Sequence, residues 1–164
     1  MTAAIILALV TLQRLAELVL ARRNTRALLA QGAYEVAPGH YPLIVAVHAL
    51  WLAALWWLAP GRPVSWLLIG LFVLLQLGRL WVLGTLGRRW TTRIIILPGA
   101  PLVRRGPYRF VSHPNYVVVA AEIAVLPLAF GLWQLALVFS LLNAAVLAIR
   151  IGAENRALGA DQKR

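Results

Sequence analysis

Cysteine is absent, and lysine occurs once, at Lys163. The missing thiols exclude disulfides, thiolate nucleophiles and cysteine-ligated metals. Charge is scarce too: charged residues make up only 13% of the chain, and five acidic residues face sixteen basic ones. A soluble domain carries about 25% charged residues, so water is not the main solvent for this chain. No internal repeat, low-complexity segment or convincing metal-ligand cluster is visible.

Hydrophobic residues supply 62% of the 164 positions, enough for one domain, and the net charge of +11 is almost wholly arginine. A basic face for nucleic acid belongs on a soluble scaffold. Arginines at the cytoplasmic ends of membrane spans explain the same charge without one. No nucleic-acid partner is expected; membrane lipids are.

A membrane span needs about 20 apolar residues. Five stretches qualify: residues 2–20, 41–59, 64–84, 114–131 and 133–151. The expected fold is therefore all-α, an integral membrane bundle of about five helices. Pro60, Gly61 and Pro63 turn the chain between the second and third. Gly131 and Leu132 leave almost no loop between the last two, which predicts a C-terminal helical hairpin. At about 1.5 Å per residue the fourth helix only just crosses. Arg22, Arg23 and Arg26 follow the first apolar run and none precedes it, which reads as an uncleaved anchor. Residues 21–40 hold three arginines, residues 85–112 hold six, and the tail from Arg150 holds four basic residues with Arg156, Lys163 and Arg164. The opposite side has only Arg62. Five crossings with the N-terminus outside and the C-terminus cytoplasmic satisfy the positive-inside rule.

Several polar residues interrupt the spans. Glu17 and Arg79 both lie in cytoplasmic halves, and ionisable groups there pair or carry function. The two are expected to meet as an ion pair. Glu122 is expected either to bond Asn143 across the hairpin or to face an acceptor pocket. His48 reads as a hydrogen-bonded packing residue.

Chemistry concentrates in Leu102-Val103-Arg104-Arg105-Gly106-Pro107-Tyr108-Arg109-Phe110-Val111-Ser112-His113-Pro114-Asn115-Tyr116. Pro114 suits the first position of a helix, whose free N–H groups can take an anion. Tyr108 and Tyr116 can stack on a flat ring, and His113 and Asn115 offer directional hydrogen bonds. The structural alternative is an ordinary turn and helix start with arginines on lipid phosphate. Further on, Arg150 and Glu154 stand four apart and share a helix face, either as a surface ion pair or with a separate charged ligand each.

Gly106-Pro107-Tyr108, His113-Pro114-Asn115-Tyr116, Arg150 and Glu154 together closely resemble the signature of the isoprenylcysteine carboxyl methyltransferase family. The likeness runs from about Arg88 to Leu158. Arg14-Leu15-Ala16-Glu17-Leu18, Arg22-Arg23-Asn24 and His40-Tyr41-Pro42 look like a small bacterial branch, some of whose members methylate alkylpyrones and alkylresorcinols. The resemblance implies S-adenosylmethionine as cofactor and a bacterial inner membrane as location. It implies a site built from residues 88–116 and 150–158. Leu102, Val103, Tyr108, His113, Pro114, Asn115, Tyr116 and Glu154 would hold the cofactor, with Arg93 a further candidate, and Arg150 would serve the acceptor. In the family an arginine usually precedes the histidine, where this chain has Ser112; Arg109, one turn away, could replace it. A second glutamate often follows the terminal acid, where this chain has Asn155.

The expected reaction is methyl transfer to an oxygen of a lipophilic or prenylated acceptor. A carboxylate is already nucleophilic at neutral pH; a phenol or pyrone enol must lose a proton, which a nearby cation eases. The Gly-rich loop of soluble α/β enzymes is missing, so the usual soluble methyltransferase fold is unsupported. The rival readings are a membrane reductase using a nicotinamide cofactor and a non-catalytic anchor or transport protein.

Overall fold

The computed structural model describes residues 1–161; Lys163 and Arg164 lie outside them. Five helices carry the fold: α1 (Thr2–Leu29), α2 (Tyr41–Leu58), α3 (Trp66–Leu86), α4 (Pro114–Ala129) and α5 (Trp133–Asp161). The chain is an integral membrane protein. Four helices among the described residues are long and apolar enough to cross a bilayer. Large apolar side chains cover their outer faces, with Leu67 83% and Trp57 84% exposed. A patch that size is solvated by lipid rather than water.

Two helices run past their apolar stretches. α1 does not stop at Leu20 but continues to Leu29, so Arg22, Arg23 and Arg26 stand on a helix rather than in a loop. At 28 residues it extends about 42 Å, beyond an apolar core of about 30 Å. α5 likewise continues past Ile151 to Asp161. α4 falls short instead: its 16 residues reach about 24 Å, so it spans only from the basic end to the hairpin. A two-stranded ribbon, unforeseen in the sequence, pairs β1 (Tyr34–Glu35) antiparallel to β2 (Ile95–Ile96), with Tyr34 opposite Ile96. Ile94-Ile95-Ile96 is a β-branched run, the kind that favours extended backbone.

The hairpin forms as the sequence implies. Gly131 turns with φ +70, and Leu132 N–H donates to the Pro127 carbonyl at 3.0 Å. Pro127 lies inside α4 and has no N–H for the carbonyl four residues before it. The indole of Trp51 on α2 fills that gap, donating to the Ile123 carbonyl at 3.2 Å. His48 behaves as a packing residue, its Nδ1 donating to the Ile44 carbonyl at 2.8 Å.

Inside the bundle the charges gather into one network. Arg79 donates to Glu17 at 2.5 and 2.6 Å and to Glu122 at 2.9 Å. Arg14 donates to Glu122 at 2.7 Å, and Gln76 donates to Glu122 at 2.8 Å. The Glu17–Arg79 pair is as expected. Glu122 is not: its partners are Arg14, Gln76 and Arg79, and it makes no bond to Asn143. Two arginines and two glutamates cancel, so the network carries no net charge into an apolar medium, where an unpaired charge is costly. It ties α1, α3 and α4 together.

Candidate functional site

The ends of α1, α3 and α5 and the start of α4 converge at one end of the bundle, where the arginines lie. The chain between α3 and α4 folds over that end and is held by the β1–β2 pairing and at three further points. Asn24 on α1 donates to the carbonyls of Gly87 and Trp90 at 3.2 and 2.8 Å. Arg93 donates to both Glu35 oxygens at 2.8 and 2.9 Å and lies over the Tyr41 ring, 4.4 Å from its centroid. Hydrogen bonding to Glu35 holds the Arg93 pKa above its ordinary value. Arg89 donates to the Pro101 carbonyl at 2.7 Å. A short turn, Gly106–Arg109, then brings Tyr108 inward. Gly106 has φ +57, and a Cβ there would lie 2.4 Å from Thr85 Oγ1, so only glycine fits.

These elements enclose a cavity of about 1080 Å³. Tyr116 is its organising side chain. Arg150 Nε donates to the Tyr116 hydroxyl at 2.6 Å, and that hydroxyl donates to Glu154. Arg150 and Glu154 therefore make no direct surface ion pair; a phenol links them, and Arg150 is buried. His113 stacks on Tyr116 at 5.2 Å between centroids and 16° between planes. Its Nε2 lies 3.2 Å from Asn155 Oδ1, and because Oδ1 can only accept, Nε2 carries the proton. Its Nδ1 stands 3.8 Å from Glu154. Burial, and then the charge of Glu154, push the Tyr108 phenol up to about 12.

Most residues singled out in the sequence meet here. Leu102, Val103, Tyr108, His113, Asn115, Tyr116, Arg150, Glu154 and Arg93 all line the cavity. Pro114 is buried and opens α4, fixing its neighbours rather than facing the space. Glu122 lies in the membrane network, off the cavity wall. Sequence reasoning undervalued Asn155, a departure from the family pattern that here accepts from His113. It also missed Trp90 and the isoleucines of β2, which wall the cavity; only their apolar character in an otherwise basic loop marked them.

Three residues on this wall have a polar atom that is buried and unpartnered: Arg150 Nη1, Asn115 Oδ1 and Trp90 Nε1. Leaving such atoms unsatisfied costs about 1–3 kcal/mol each, a cost that a polar ligand reaching them would recover. Glu154 is the single carboxylate on it among the described residues and suits a cationic amine. The donor Nη1 suits an anionic oxygen. The arrangement can hold a molecule bearing both an amine and a flat ring next to a second, oxygen-bearing one.

The family model for the isoprenylcysteine carboxyl methyltransferase (ICMT) family matches residues 68–160, from α3 through the cavity to the end of α5. The chain is also 38% identical over 159 residues to the uncharacterized protein YpbQ of Bacillus subtilis (strain 168), covering 94% of this chain and 95% of that one. No solved structure matches. On the family match, which takes in every side chain of the Arg150–Tyr116–Glu154 cluster, this chain is a membrane methyltransferase and belongs to the isoprenylcysteine carboxyl methyltransferase family.

Proposed function

We propose that the chain is an S-adenosylmethionine-dependent O-methyltransferase acting on a lipophilic acceptor where the membrane meets the cytoplasm. The observation that carries this reading is the Arg150–Tyr116–Glu154 cluster, with Arg150 Nη1 buried and free on the wall of a large cavity.

S-adenosylmethionine, when bound, supplies an electrophilic methyl group on a sulfonium sulfur. Glu154 would take its amine, and Asn115 Oδ1 would accept from a polar hydrogen of it. Tyr108, Tyr116 and His113 would line its flat and cationic parts; an aromatic face next to a positive centre is favourable. Leu102 and Val103 offer backbone groups at the rim. Arg150 would orient the acceptor oxygen as an anion, since a guanidinium is always charged and bonds carboxylates directionally. Transfer then depends on alignment, an orientation effect. The basic end faces the cytoplasm on this reading, in agreement with the positive-inside rule, and a bacterial cytoplasmic membrane fits the Bacillus subtilis relative.

The acceptor class is tested with the purified chain in lipid nanodiscs, methyl-labelled S-adenosylmethionine and two panels of acceptors. One panel carries prenylated or alkyl carboxylates, the other alkylresorcinols and alkylpyrones. Label released as methanol by mild alkali identifies a methyl ester; alkali-stable label identifies a methyl ether. Label transferred to neither panel counts against the proposal.

A further inference from the structure

Adjoining the large cavity, and sharing Arg89, Leu102, Val103 and Arg104 with its wall, lies a recess of about 500 Å³ whose lining also includes Arg88 and Arg105. Two of these arginines come from the turn after α3, Gly87–Arg89. The other two come from the segment before Gly106, which the Arg89 bond to the Pro101 carbonyl at 2.7 Å draws alongside. No carboxylate lines the recess among the described residues. The four glutamates are committed elsewhere: Glu17 and Glu122 in the membrane network, Glu35 on Arg93 and Glu154 on Tyr116. The fold thus holds four like charges around one hollow with no carboxylate on its wall among the described residues. Like charges at close range repel, and an anion bound between them removes that cost.

We propose that this recess is a binding site for a phosphate group. Guanidinium forks match phosphate oxygens in paired, charge-assisted hydrogen bonds, and arginines drawn from two segments can reach one phosphate from two sides. Exposed Leu102, Phe110 and Val111 flank the same segment, which puts the recess at lipid headgroup level. A lipid headgroup and free phosphate share this chemistry. The site does not depend on the methyl-transfer reading, and its test involves no turnover.

The full chain, purified in neutral phosphate-free detergent, is titrated calorimetrically with inorganic phosphate and separately with a short-chain phosphatidic acid. Saturable one-to-one binding is expected, weakened at least about tenfold by the double change R104Q/R105Q. R88Q, on the other wall, must weaken it similarly and serves if the double variant does not fold. R62Q removes the same charge as R88Q from the loop between α2 and α3, at the opposite end of the bundle, and should change affinity by less than about twofold, because distant exposed charges are screened. Binding of the lipid alone assigns a headgroup site, and equal binding of both assigns free phosphate. Absence of binding to both probes overturns the proposal, as does equal weakening by R62Q.

Discussion

Tyr116 stands between Arg150 and Glu154, accepting from the first at 2.6 Å and donating to the second. The link sets the rotamers of two side chains on α5 from one position on α4, so both charges are fixed before any ligand arrives. Tyr116→Phe keeps the ring and its stacking on His113 but removes the link. Losing two charge-assisted bonds should lower kcat/KM about 10- to 100-fold and, because Arg150 is buried, lower the thermal midpoint as well. Methyl-transfer kinetics check it; unchanged kinetics would show that the hydroxyl does not organise the site.

The membrane network is a structural device. Arg79→Leu leaves Glu17 and Glu122 with Arg14 as their one cationic partner, and breaking a buried pair costs about 3–5 kcal/mol. A large drop in the thermal midpoint in detergent is expected, and less of a drop when Glu17→Leu accompanies Arg79→Leu. If the double variant folds normally yet loses activity, the network has a role in the chemistry and this account of it is wrong.

Trp51 and Pro127 should behave as a coupled pair. Trp51→Phe leaves the Ile123 carbonyl buried without a donor, at about 1–3 kcal/mol. Pro127→Ala restores the missing backbone N–H and should recover part of that loss, while in the wild-type background it should not stabilise to the same degree. Unfolding curves of the two single variants and the double variant measure the coupling; additive effects would contradict the hydrogen-bond account.

How much of this was readable beforehand follows from what each feature depends on. The spans, the hairpin at Gly131 and the meeting of Glu17 with Arg79 were legible, because apolar length and the cost of an unpaired charge act locally or leave little choice. The extension of α1 was not, because Arg22, Arg23 and Arg26 end the apolar run without ending the helix; arginine is a good helix former. The partners of Glu122 were assigned to the wrong helix. Arg14 is 108 positions away, and only the packing of α1 against the bundle brings it close. At the site, the residue types were legible, and Arg150 and Glu154 were placed on one face correctly. That Tyr116 joins them, and that Asn155 takes His113, depends on the relative rotation of α4 and α5, which no spacing encodes.

Tyr108 provides a pH signature. Its phenol is pushed up to about 12 from an ordinary value of 10.0 by burial. The folded form therefore stays protonated where an exposed tyrosine ionises, and the stability tied to it is lost as pH rises from about 10 through about 12. The difference in phenolate absorbance between the wild type and Tyr108→Phe should be near zero below pH about 11. A half-maximal tyrosinate signal at pH about 10 would mean that Tyr108 is not buried in the cavity.

Calorimetric titration of the purified chain with S-adenosylhomocysteine tests the central claim most directly. Saturable binding is expected, weakened at least about tenfold by Glu154→Ala and by His113→Ala, and left intact by Arg62→Gln in the loop between α2 and α3, at the opposite end of the bundle. No binding, or binding indifferent to both cluster substitutions, would contradict the assignment of Glu154, Tyr116 and His113 to a cofactor site.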